Sequence, residues 1–230
     1  MAFISEIPIE IWIAGVLALY MAWAIGANDV ANAMGTSVGS GALTIGGAIL
    51  VAAIFEFAGA FLAGGHVTDT VRKGMLDMAL VDREQLIYGM LASLAAAGTL
   101  LIGATRFGLP ISTTHAIVGA IVGFGAVGIG FESVNWGKVG QIILSWLTSP
   151  ILAGVFAFVI FQITRLKILD TKDPIAQVRK LGPVFFFFVF FIIGLVTMFK
   201  GLKPLKLDLD LTEAVIGSVM LGLVGAGLGI

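Results

Sequence analysis

The sequence predicts an all-α integral membrane protein of about seven hydrophobic segments with broken or re-entrant helices, and three observations predict it. First, 59% of the 230 residues are hydrophobic and only 12% are charged, with a mean hydropathy of +1.08. Soluble domains run at about a quarter charged, and a water-soluble core of this size cannot hide so much apolar surface. Second, the apolar residues come in runs of roughly 18 to 27 free of lysine and arginine, the length needed to cross about 30 Å of hydrocarbon. Third, two stretches rich in glycine and hydrogen-bonding side chains interrupt the apolar pattern. Non-helical backbone at membrane depth survives only where it lines a cavity or is buried in protein.

The segments fall at residues 7–25, 42–63, 85–105, 108–129, 139–164, 183–199 and 211–230. Glu6 and Glu10, with no positive region before them, set the first apart from a cleavable signal peptide, so it is read as a membrane helix. The polar connections at 66–84, 131–138, 165–182 and 200–210 are too short to separate domains, and residues 1–230 are read as a single transmembrane domain. In the third connection Arg165, Lys167, Lys172, Arg179 and Lys180 outnumber Asp170 and Asp173, which favours the cytoplasmic side. Arg72, Lys73, Arg83, Lys200, Lys203 and Lys206 then fall outside, against the same tendency. The expected location is the cell membrane, crossed several times.

Composition also excludes classes. A net charge of −1 offers no global basic field for nucleic acid, so selectivity for an anion has to come from a local site. Zero cysteines rule out disulfides, thiol catalysis and cysteine-bound metals, and two histidines argue against a multi-histidine metal site. No cofactor is expected. The charged side chains of His66, Asp69, Asp77, Asp82 and Glu84 are interspersed with Arg72, Lys73 and Arg83, and read as a solvated connection rather than a metal cluster.

The first interruption is Gly26-Ala-Asn-Asp-Val-Ala-Asn-Ala-Met-Gly-Thr-Ser-Val-Gly-Ser-Gly41. Asn28 and Asn32 are one helical turn apart and share a face with Asp29 close by, a set of hard oxygen donors suited to a small cation such as sodium. A cation there offsets the expense of a carboxylate at depth, about 2.5 to 3.5 kcal/mol on insertion scales. The alternative is a helix cap at the lipid interface. Glu56 lies within residues 52–63 as the most deeply embedded acid, either a cation ligand, proton carrier or gate residue, or a structural hydrogen bond between helices.

The second interruption, Gly108-Leu-Pro-Ile-Ser-Thr-Thr-His115, reads as a helix start. Ser112, Thr113 and Thr114 are placed to cap it, and a helix N-terminus with free amides, about half a positive charge and three hydroxyls suits a tetrahedral oxyanion. A plain capped helix is the competing reading. His115 reads as a phosphate donor, a proton carrier or a local hydrogen-bonding group. A Ser112 and His115 dyad lacks an acid to orient the histidine, and an enzyme is not expected.

Taken together, Gly26-Ala-Asn-Asp-Val-Ala-Asn-Ala33 and Pro110-Ile-Ser-Thr-Thr-His115, with Ile54-Phe-Glu-Phe-Ala-Gly and Val71-Arg-Lys-Gly-Met, resemble the signatures of the inorganic phosphate transporters. The resemblance implies a secondary symporter importing phosphate with sodium or protons. It implies a cation site at Asn28, Asp29, Asn32 and Glu56, and phosphate contacts at Ser112, Thr113, Thr114 and Asp29. Members are similar to an inverted duplication in which both signatures occur twice, whereas here each occurs once. One half of an inverted-repeat transporter is therefore expected, with a second repeat or a homodimer partner beside phosphate and the bilayer as partners. Sulfate transport and a passive anion channel are the alternatives.

Overall fold

The computed structural model describes residues 7–198 and 209–229, and for residues 62–73 the course of the backbone alone. Glu6, Lys200, Lys203 and Lys206 lie outside the described residues, as do the side chains of His66, Asp69, Arg72 and Lys73. The described chain runs as α1 (Ile9–Gly39), α2 (Ile45–Gly74), α3 (Arg83–Arg106), α4 (Thr113–Phe124), α5 (Trp136–Thr164), α6 (Pro174–Val196) and α7 (Leu211–Leu228). Short π-helical turns extend α4 through Gly125–Ile129 and α5 through Arg165–Leu169. Among the described residues the β structure is one isolated antiparallel bridge, Leu76 to Val134. Among the described residues five helices, namely α1, α3, α5 with its π turn, α6 and α7, are long and apolar enough to cross a membrane; the apolar stretches Ile45–Phe61 and Thr113–Ile129 are shorter.

These elements match the seven apolar segments, with two differences. The expected interruption over Gly26–Gly41 is not a break, because α1 stays helical to Gly39. Ala27, Ala31, Ala33 and Met34 are strong helix formers that outweigh the glycines, each about 1 kcal/mol less favourable than alanine. The turn comes only at residues 40–44, where Gly41 has φ +76° and Thr44 caps α2 by accepting from the Gly47 amide. Similarly, α6 begins nine residues before residue 183, where apolar character alone placed it. Asp173 accepts from the Ala176 amide and Pro174 occupies the first turn, a strong local start that hydropathy averages away.

The described chain forms two compact units. In the first, α1 packs on α3 and α3 on α4, around Met21, Ala24, Ala97, Leu101 and Ala116. Glycines let the helices close up: the Phe124 ring of α4 lies where a side chain at Gly89 would project, and the Tyr20 ring of α1 does the same at Gly98. Buried Ser93 donates to the Gly89 carbonyl at 2.8 Å and faces the Ala120 carbonyl of α4 at 3.3 Å. Beyond the π turn, the buried Ser133 hydroxyl reaches the carbonyls of Gly130 and Gly125, and the Asp77 amide donates to the Ser133 carbonyl. In the second unit α6 and α7 pack against each other, the Phe187 and Phe190 rings lying over Gly222 and Gly225.

Candidate functional site

The first unit brings the sequence-predicted Asn28, Asp29 and Thr113 together across distant parts of the chain, with Ser112 at the same helix start. Asn28 and Asp29 lie in α1, and Ser112 and Thr113 form the start of α4. Ser112 caps α4, its Oγ accepting from the His115 amide at 3.3 Å. That leaves the amides of Thr113 and Thr114 without intrahelical partners, as the first turn of any helix requires. The Thr113 hydroxyl donates to Asp29 Oδ2 at 2.8 Å, so a partly buried carboxylate sits at the positive end of α4.

Asn28 is held in one orientation. Its Nδ2 donates to Thr105 Oγ1 at 3.1 Å and faces the Leu109 carbonyl at 3.4 Å. The Thr105 hydroxyl spends its own proton on the Leu101 carbonyl at 2.8 Å, and a carbonyl only accepts. Both neighbours therefore demand the amide's NH2 side, which turns Oδ1 the other way. Asn28 is 5% exposed, and its Oδ1 is buried without a hydrogen-bond partner. An uncompensated buried acceptor is unfavourable by about 1–3 kcal/mol, and a cation is the kind of group that would satisfy it.

The other predicted residues stand apart from this cluster. Asn32 is one turn along the same face but exposed, and Ser112, Thr114 and His115 are exposed at the α4 start. Glu56 is exposed on α2 and makes no hydrogen bond to Asp29 or Thr113. Asp77 accepts from the Ala79 amide, and Asp82 caps α3 in a reciprocal box with Gln85, so both serve local chain geometry. Among the described residues no three histidine, aspartate or glutamate side chains gather as a metal site. The sequence reading did not single out Thr105 or the Leu109 carbonyl. Their partner lies 77 and 81 residues away, and nothing local signals such a contact.

Among the described residues, five helices long and apolar enough to cross a membrane, with a polar cluster of α1, the end of α3 and the start of α4, define a multi-pass membrane protein with a partly buried polar site. The sequence model described as "Phosphate transporter family" matches residues 25–225, and this chain belongs to that family. Among curated relatives, a Haemophilus influenzae protein named "Putative phosphate permease" is 46% identical over 217 residues, covering 94% of this chain and 52% of the relative. The Arabidopsis thaliana "Inorganic phosphate transporter 2-1, chloroplastic" is 46% identical over 190 residues, covering 81% of this chain and 31% of the relative. A solved structure described as "The sodium-dependent phosphate transporter" superposes with a TM-score of 0.89 at 38% identity, covering 96% of this chain and 54% of that one. The chain spans about half the length of the curated relatives it matches.

Proposed function

We propose that this chain provides a phosphate and cation site for a secondary transporter that imports inorganic phosphate with sodium. The observation that carries the reading is the hydrogen bond from Thr113 at the α4 start to Asp29, beside the unpartnered Oδ1 of Asn28. Phosphate would accept from the free amides of Thr113 and Thr114 and from the Ser112 and Thr114 hydroxyls. Sodium would take Asn28 Oδ1 and an Asp29 oxygen, with Asn32 one turn further along. A cation beside Asp29 lowers the repulsion between that carboxylate and an arriving anion, so each ligand raises the other's affinity by the same factor. Glu56 enters only as a further candidate for the cation path, on the family resemblance. The second repeat, or a second copy of this chain, would supply the other half against which this one rocks. The match to about half of the Haemophilus influenzae relative and of the solved transporter supports that arrangement.

The test is uptake of labelled phosphate into liposomes, with the chain alone and with a co-expressed second repeat. Uptake driven by an imposed sodium gradient, lost in Asp29→Asn and Thr113→Val, is the expected result. Uptake indifferent to the sodium gradient would sink the coupled reading, and preference for sulfate would reassign the substrate.

A further inference from the structure

Helices α5 and α6 are each long and apolar enough to cross a membrane, and only residues 170–173 join the π turn closing α5 to the start of α6. Two crossing helices linked so tightly bring their shared turn to one face of the bilayer. Both acids of this turn are engaged. Asp170 Oδ2 accepts from Arg165 Nε at 3.0 Å, and Asp173 Oδ1 accepts from the Ala176 amide at 3.0 Å as the α6 cap. Lys167, Lys172, Arg179 and Lys180 remain exposed, and none of them forms an ion pair among the described residues. The π turn that carries Lys167 packs on the helix that carries Arg179 and Lys180, and Lys172 lies in the short link between them. Beside them Leu169 and Ile175 stand out, 55% and 71% exposed, giving the patch an apolar edge.

We propose that this turn binds anionic phospholipids, the four cations gripping headgroup phosphates while Leu169 and Ile175 enter the upper acyl region. Charge complementarity selects the occupant: a cationic patch fixed at the headgroup level meets an anionic lipid surface, and each lysine or arginine strengthens that attraction. Long cationic side chains also keep their stems on apolar surface while the heads reach the phosphates. None of these residues belongs to the Asp29 and Thr113 site, and the proposal does not depend on how that site is read.

The chain is reconstituted in nanodiscs of phosphatidylcholine with a minor fraction of phosphatidylglycerol, and the lipids that remain bound on release are counted by native mass spectrometry. Enrichment of phosphatidylglycerol over its bulk share is expected, reduced on the order of tenfold in the combined variant Lys167→Gln, Lys172→Gln, Arg179→Gln and Lys180→Gln. The control Arg83→Gln with Lys138→Gln removes cations elsewhere and should retain the enrichment. Equal enrichment in the four-site variant, equal loss in the control, or displacement of the lipid by inorganic phosphate would each overturn the proposal, the last by making the patch a free-oxyanion site. Should the four-site variant not insert, Lys167→Gln with Lys172→Gln decides: a partial loss supports the proposal and no loss refutes it.

Discussion

At the scale of single residues, Thr105 decides which atom of Asn28 faces the site. Its hydroxyl, already committed to Leu101, accepts from the amide and so aims Oδ1 away. Thr105→Val removes that acceptor, and under the proposed sodium coupling the loss of one interhelical hydrogen bond of about 1 kcal/mol predicts a sodium requirement raised roughly fivefold at unchanged protein yield. Thr105→Ser keeps the hydroxyl and should behave like the parent; the sodium dependence of phosphate uptake separates the two. Thr113 acts on the partner residue. Thr113→Val leaves Asp29 without its donor at the helix start, and uptake should fall by on the order of tenfold or more, with Thr113→Ser preserving most of it. Here the sequence drew attention to polar residues in apolar surroundings and was silent about how they meet. Asn28, Asp29 and Thr113 stood out as polar groups in apolar surroundings, but the Thr105 contact spans 77 residues and has no periodicity to betray it.

Helix starts and helix crossings are where the local code of this chain was most and least readable. Ser112 was legible as a cap because a hydroxyl follows a proline ahead of an apolar run, and it does cap α4. Ser112→Ala should lower stability by about 1 kcal/mol, seen as an earlier melting midpoint in detergent, beyond any effect on uptake. The continuity of α1 through Gly26 and Gly35 was not legible, because glycine content signals a break only where the neighbouring residues do not favour helix. Glycines 89 and 103 divide on the same principle. At Gly89 the Phe124 ring fills the side-chain position, so Gly89→Leu should overpack the α3 and α4 crossing and lose about 1–3 kcal/mol. Gly103 faces open space, so Gly103→Ala should leave the melting midpoint unchanged or slightly higher.

Across the described residues, apolar surface is distributed in a way that calls for an apolar surrounding. None of the apolar window of α5 is buried within the chain, although its mean hydropathy reaches 2.1. The partner such a surface calls for is hydrocarbon or a further apolar protein surface, and composition announced that much from the outset. Because the sequence contains no cysteine, Phe158→Cys, at a position 63% exposed, should react with a membrane-soluble maleimide and resist a water-soluble one. Labelling by the water-soluble reagent would place this face of α5 in an aqueous path instead.

The bare face of α5 also has an evolutionary consequence. Hydrocarbon asks only that a side chain be apolar and is nearly indifferent to its shape, whereas a packed interior is sensitive to a single methylene. Positions such as Phe158 and Ile151 should therefore drift freely among valine, leucine, isoleucine and phenylalanine over time. Ala24, Leu101 and Ala214, each 0% exposed, leave no such latitude, and substitutions there should be purged while α5 keeps its composition and loses its identity.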